Sequence, residues 1–179
     1  MALIGFMSLM ALPEALFAQT KQSGSKAVDY ESELPPDAKH LKIGDPAPDF
    51  SLKGVDGKMY SLRDFKDAPV LMVVFLSDHC PVSHAAEVRL IPFAKDFRSR
   101  GLATVAISPN DPEAMAIAEL GYSKYSDSFE DMKRYAAEQG FSFPYLYDGD
   151  TQKIAKAYGC LCTPHVFIFD RHRKLRYMG

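Results

Sequence analysis

Residues Val70 to Leu76 read VLMVVFL, an unbroken apolar run rich in β-branched side chains. Such a run marks a strand buried on both faces, which a layered α/β architecture provides. It is followed by Ser77-Asp78-His79-Cys80-Pro81 and then by a helical pattern from His84 to Arg100, in which Val88, Ile91, Ala94 and Phe97 share a face. Cys80 therefore sits where a buried strand gives way to a helix. There the free backbone N–H groups and the helix dipole stabilise an anion, so the thiolate is favoured. Pro81 suits the first helical position, where its missing N–H costs nothing. The bland alternative is a buried structural cysteine. Strand end, proline and helix together read instead as a platform for a nucleophile.

The rest of the chain fits the same architecture. Asp49–Leu52 and Lys58–Leu62 alternate polar and apolar around Asp56-Gly57, a hairpin signal. Ala103–Ser108 is a second buried strand. Asp127 is expected to cap a helix over Ser128–Gln139, which Gly140 ends. A short strand at Tyr145–Tyr147, a helix over Thr151–Tyr158, and a hairpin of Val166–Phe169 with Lys174–Met178 follow. Asp148-Gly149-Asp150 reads as a turn and helix cap. The order implies α/β, with a mixed central sheet flanked by helices and an N-terminal β-hairpin. No residues remain for a final helix over one sheet face, so the domain is expected to lack it, through truncation or because a partner covers that face.

Met1 to Ala18 is almost uncharged, and its apolar run matches a signal-peptide core rather than a bilayer span. The expected organisation is a signal peptide over 1–18, a flexible linker over 19–40 and one domain over 41–179. Export to a periplasmic or extracellular compartment follows; a cytoplasmic location applies if the segment is not a signal. With 179 residues and a net charge of -2, no nucleic-acid partner is indicated, nor any stable membrane span. No glycine-rich phosphate loop occurs, so no nucleotide cofactor is implied. The three cysteines, Cys80, Cys160 and Cys162, are too few for a disulfide scaffold.

Cys162-Thr163-Pro164 precedes the strand Val166–Phe169. A proline opening a strand is a candidate for a cis bond, and its backbone can face the reactive sulfur. Together with Gly44–Phe50, Phe75–Pro81, Ala106–Pro112 and Phe143–Leu146, these segments resemble the thioredoxin superfamily, in its alkyl-hydroperoxide-reductase/thiol-specific-antioxidant, peroxiredoxin-like branch. The resemblance implies a thioredoxin-like fold and a thiol-dependent oxidoreductase with antioxidant activity. Its site would comprise Cys80, Cys162, Ser77, Thr163 and Pro164. The chain departs from both patterns: Ser83 holds the position of a second thioredoxin cysteine, and Val73 and Ser77 stand where a peroxiredoxin has proline and threonine.

The expected mechanism has Cys80 attack a peroxide or a disulfide, with Cys162 resolving the product and Cys160 as the fallback. An external thiol reductant, such as a thioredoxin-like protein, would restore both. Cys160 and Cys162 could equally be packing residues. His84 reads as an exposed helix residue, while the roles of His79 and Asp78 stay open. A metallochaperone is the alternative of another class, with Cys80, His79 or His84, Cys162 and His165 as soft or borderline donors for copper. A binding module without turnover is the third.

Overall fold

Val70–Phe75 forms a strand whose residues from Leu71 onward are 0–2% exposed. Burial on both faces demands a layer on each side. The computed structural model describes residues 39–116, 118 and 123–179. The expected signal segment 1–18 and the linker before Lys39 lie outside the described residues. In chain order the elements are β1 (Ser51–Gly54), β2 (Met59–Ser61), β3 (Val70–Phe75), α1 (Pro81–Arg98), β4 (Leu102–Ser108), α2 (Phe129–Gln139), β5 (Tyr145–Tyr147), α3 (Lys153–Tyr158), β6 (His165–Phe169) and β7 (Leu175–Met178).

The strands form one sheet in the order β2-β1-β5-β4-β3-β6-β7. β4 runs parallel to β3 and β5, and the other neighbours are antiparallel. The sheet is thus mixed, with the expected hairpins β1–β2 at one edge and β6–β7 at the other. Side chains alternate between its faces. Leu71, Val73 and Phe75 of β3 join Phe167 and Phe169 of β6, and Ile154 and Tyr158 of α3 cover them. Val74 and Leu76 point the other way, onto Met132 and Ala136 of α2 and Leu90 of α1. Each large side chain buried in this way contributes about 1.5–3 kcal/mol before conformational entropy is charged against it.

Three details differ from the sequence expectation. Helix α1 begins at Pro81, and its buried residues are Ser83, Glu87 and Ala94, while Val88 is 76% exposed. Positions 83, 87, 90 and 94 form one helical stripe, and Val88 is rotated off it. The polar members of the stripe are paired, which is why an apolar count misplaces the face. The Ser77 N–H donates to Ser83 Oγ at 3.3 Å, and the Tyr135 hydroxyl donates to Glu87. Asp127 does not cap α2. Ser128 does, its Oγ accepting from the Asp131 N–H at 3.2 Å. Helix α3 starts later than expected, at Lys153, with Asp148 Oδ2 accepting from the Ile154 and Ala155 N–H groups.

Gly140, at φ 68°, ends α2 as expected. Among the described residues no helix follows β6. On the Val74 side of the sheet, Val166 and Ile168 are half-buried and Tyr177 is 52% exposed.

Candidate active site

Strand β3 delivers the chain to Cys80, and antiparallel β6 brings the Thr163-Pro164 segment back beside it. Phe75, the last residue of β3, pairs with His165, the first of β6. Cys80 is the N-cap of α1, its carbonyl accepting the His84 N–H at 3.1 Å. Its Sγ donates to the Thr163 carbonyl oxygen at 3.3 Å. The Thr163–Pro164 peptide is cis. Because consecutive Cα atoms are ~3.8 Å apart, Cys162 stands one residue from this contact.

The loop between β3 and α1 is held from an unexpected direction. Asp127, fully buried and at φ 58°, turns its carboxylate into the loop. Oδ1 accepts from the backbone N–H groups of Asp78 at 2.5 Å and His79 at 3.1 Å. Oδ2 accepts from Ser77 Oγ at 2.8 Å, His79 Nδ1 at 2.9 Å and Asn110 Nδ2 at 2.5 Å. Charge-assisted bonds of this kind are about twice as strong as neutral ones. One side chain some fifty residues away in sequence thereby fixes the backbone on which Cys80 is mounted. The Ser77 hydroxyl is engaged by Asp127 and by His79 Nδ1, and Ser77 is fully buried.

Beneath the loop lies a buried acidic layer. The Asp78 side chain accepts the Tyr145 hydroxyl at 2.7 Å, and its other oxygen has no protein partner. Burial, reinforced by the charge of Asp127, pushes the Asp78 carboxyl up to about 8. Burial likewise pushes Glu87 up to about 7, against the hydrogen bond from Tyr135. His84 is not the free surface residue the sequence suggests. Its Nε2 donates to the Asp78 carbonyl oxygen at 2.7 Å, and its ring stacks on Tyr135 at 5.3 Å.

Above the loop opens a cleft of about 540 Å³, lined in part by His79, Cys80, Asn110, Cys160, Cys162 and Thr163. All three cysteines are free thiols. Cys162 is exposed; partial burial raises its thiol above the ordinary value, and the nearby Cys80 adds to this. Cys160 Sγ donates to the Cys162 carbonyl at 3.2 Å, and burial pushes that thiol up to about 12, which leaves it little thiolate. Of the donors considered for copper, His79 is held by Asp127, His84 by the Asp78 carbonyl, and His165 Nδ1 accepts from the Leu161 N–H. Among the described residues no group of three or more His, Cys, Asp or Glu side chains is arranged to hold a metal.

The structure therefore gathers Cys80, Cys162 and Thr163 around one cleft, with Pro164 next in the chain, and sets Ser77 behind them. Asp127 and Asn110 escape a reading of the sequence. One signal was present: Asp127-Ser128 offers two capping residues in a row where a helix uses one.

The sequence pattern of the AhpC/TSA family matches residues 43–178. A Mycobacterium tuberculosis (strain ATCC 25618 / H37Rv) protein that carries a provisional peroxiredoxin name is 31% identical over 121 residues. The match covers 66% of each chain, so this chain spans just under two thirds of that relative. The thiol-disulfide oxidoreductase ResA of Geobacillus thermodenitrificans (strain NG80-2) is 23% identical over 140 residues, 76% of this chain and 68% of its own. The crystal structure of an uncharacterized conserved protein from Geobacillus kaustophilus superposes with a TM-score of 0.70 at 39% identity, over 79% of this chain and 70% of that one. The fold is thioredoxin-like. With nearly all of its described residues inside the family's span, the chain belongs to the AhpC/TSA family of the thioredoxin superfamily.

Proposed function

We propose that the protein is a thiol-dependent oxidoreductase in which Cys80 attacks the O–O bond of a peroxide or the S–S bond of a disulfide. The observation that carries this reading is the position of Cys80. Its sulfur stands at the N-terminus of α1, opens onto the cleft and touches the Thr163 backbone. The names of its relatives, a peroxiredoxin and a thiol-disulfide oxidoreductase, support the same chemistry.

With a peroxide, an S–O bond forms as the O–O bond breaks, and Cys80 becomes a sulfenic acid. The Cys162 thiol then displaces water and forms an S–S bond with Cys80. With a disulfide, Cys80 forms a mixed disulfide, and Cys162 releases the second thiol. An external dithiol protein returns both cysteines to thiols. Cys162, exposed on the same cleft, is better suited to this step than the high-pKa Cys160. The apolar, nearly uncharged Met1–Ala18 segment supports an exported protein.

The test is the rate at which reduced protein consumes hydrogen peroxide or a small disulfide in the presence of a dithiol. Wild type should exceed free cysteine by orders of magnitude, and Cys80→Ser should abolish the excess. A wild-type thiol no faster than free cysteine contradicts the proposal.

A further inference from the structure

We infer that His79, held in one orientation by Asp127, carries the proton from the Cys80 thiol to the oxygen that leaves when a peroxide is cleaved. The inference rests on the proposed role of Cys80 and adds to it a second catalytic residue, a positioning residue and a preference between substrates.

The geometry assigns the protons. Asp127 Oδ2 lies 2.9 Å from His79 Nδ1, with side-chain exposures of 0% and 16%. The same oxygen accepts from Ser77 Oγ and Asn110 Nδ2, and Oδ1 accepts from two backbone N–H groups. Every contact of this carboxylate is with a donor, so the Nδ1 end of the imidazole carries a hydrogen. That leaves Nε2 to exchange protons. Among the described residues Nε2 has no protein partner, and it is not among the buried unpaired atoms. His79 lines the cleft beside Cys80. A histidine oriented by a buried carboxylate, on a cleft it shares with the thiol, is the arrangement of a general acid–base pair.

The step balances as follows. Nε2 takes the proton of the Cys80 thiol, giving a thiolate and an imidazolium paired with Asp127. The thiolate attacks the terminal peroxide oxygen. An S–O bond forms and the O–O bond breaks, so sulfur loses two electrons and the peroxide gains them. The leaving oxygen takes the proton from Nε2, and the products are a sulfenic acid and water or an alcohol.

This proton matters unequally for different substrates. Hydroxide leaves as the base of an acid with pKa ~15.7, a thiolate as the base of one near ~8.5. A positioned donor therefore accelerates peroxide cleavage far more than disulfide exchange. A peroxy acid, whose carboxylate leaves without needing a proton, gains little from it either.

The experiment is stopped-flow oxidation of the reduced full chain by hydrogen peroxide, by peracetic acid and by an aromatic disulfide. His79→Asn keeps a donor where Nδ1 sits, and so keeps the tie to Asp127, but has nothing at Nε2. It should slow hydrogen peroxide about 100-fold more than the other two reactions, which lose only the deprotonation of Cys80. His79→Gln, with a donor near the Nε2 position, should recover part of the loss. Asp127→Asn should shift selectivity in the same direction as His79→Asn. Equal slowing of all three oxidants, or no slowing of any, overturns the inference and leaves the role of Cys80 intact. Loss of neither peroxide nor disulfide reactivity in Cys80→Ser overturns the underlying reading instead.

Discussion

The Cys80 sulfur lies 3.3 Å from the Thr163 carbonyl oxygen, across 83 positions of sequence. This contact joins the loop after β3 to the segment before β6. The bond suits a thiol, whose S–H can donate; a thiolate would face the negative end of the carbonyl dipole.

Cys162 and Cys160 should separate cleanly. In Cys162→Ser, one equivalent of hydrogen peroxide should leave Cys80 as a sulfenic acid that a diketone probe traps. In Cys160→Ser, turnover should stay near wild type, because the Cys160 thiol is pushed up to about 12 and contributes little nucleophile. Equal loss of turnover in both variants contradicts this assignment.

Asp127→Ala should destabilise the fold by about 3 kcal/mol or more, since it strands two backbone N–H groups and three side-chain partners around a buried void. Urea denaturation measures the loss. A change below about 1 kcal/mol would mean that water replaces the carboxylate at little cost.

Stability should fall with pH through the buried Asp78. Its carboxyl is raised to about 8 in the native protein from an ordinary 3.8. A carboxyl raised on folding favours the native state fully below its ordinary value, and that contribution is lost as pH climbs through about 8. Glu87, raised to about 7, acts in the same direction. Denaturation at pH 5 and pH 8 should differ by on the order of a few kcal/mol. Asp78→Asn, which keeps an acceptor for the Tyr145 hydroxyl, should flatten that slope. An unchanged slope in the variant contradicts the account.

Gly159→Ala should cost about 1–3 kcal/mol. Gly159 ends α3 at φ 67°, and a Cβ there would run into the Lys39 backbone carbonyl. A thermal scan showing an unchanged Tm would contradict this.

The layered fold and the strand-to-helix setting of Cys80 could be read from local pattern, because apolar runs such as Val70–Leu76 and turn residues such as Gly140 act within a few positions of themselves. Apolar periodicity misplaces the buried face of α1, because Ser83 and Glu87 are buried through hydrogen bonds that it does not register. Asp127 looks locally like a cap because its partners, Ser77, Asp78 and His79, come together with it only once β3 and the segment before α2 have folded. His84 hides its role for the same reason, since the Asp78 carbonyl becomes its acceptor only when the loop closes over α1.

The most direct test is a peptide map of the protein after reaction of fully reduced chain with one equivalent of hydrogen peroxide. The account predicts a single new cross-link between the peptides carrying Cys80 and Cys162, absent from Cys80→Ser. Cys80 recovered as a free thiol, with oxidation confined to Cys160 and Cys162, would contradict it.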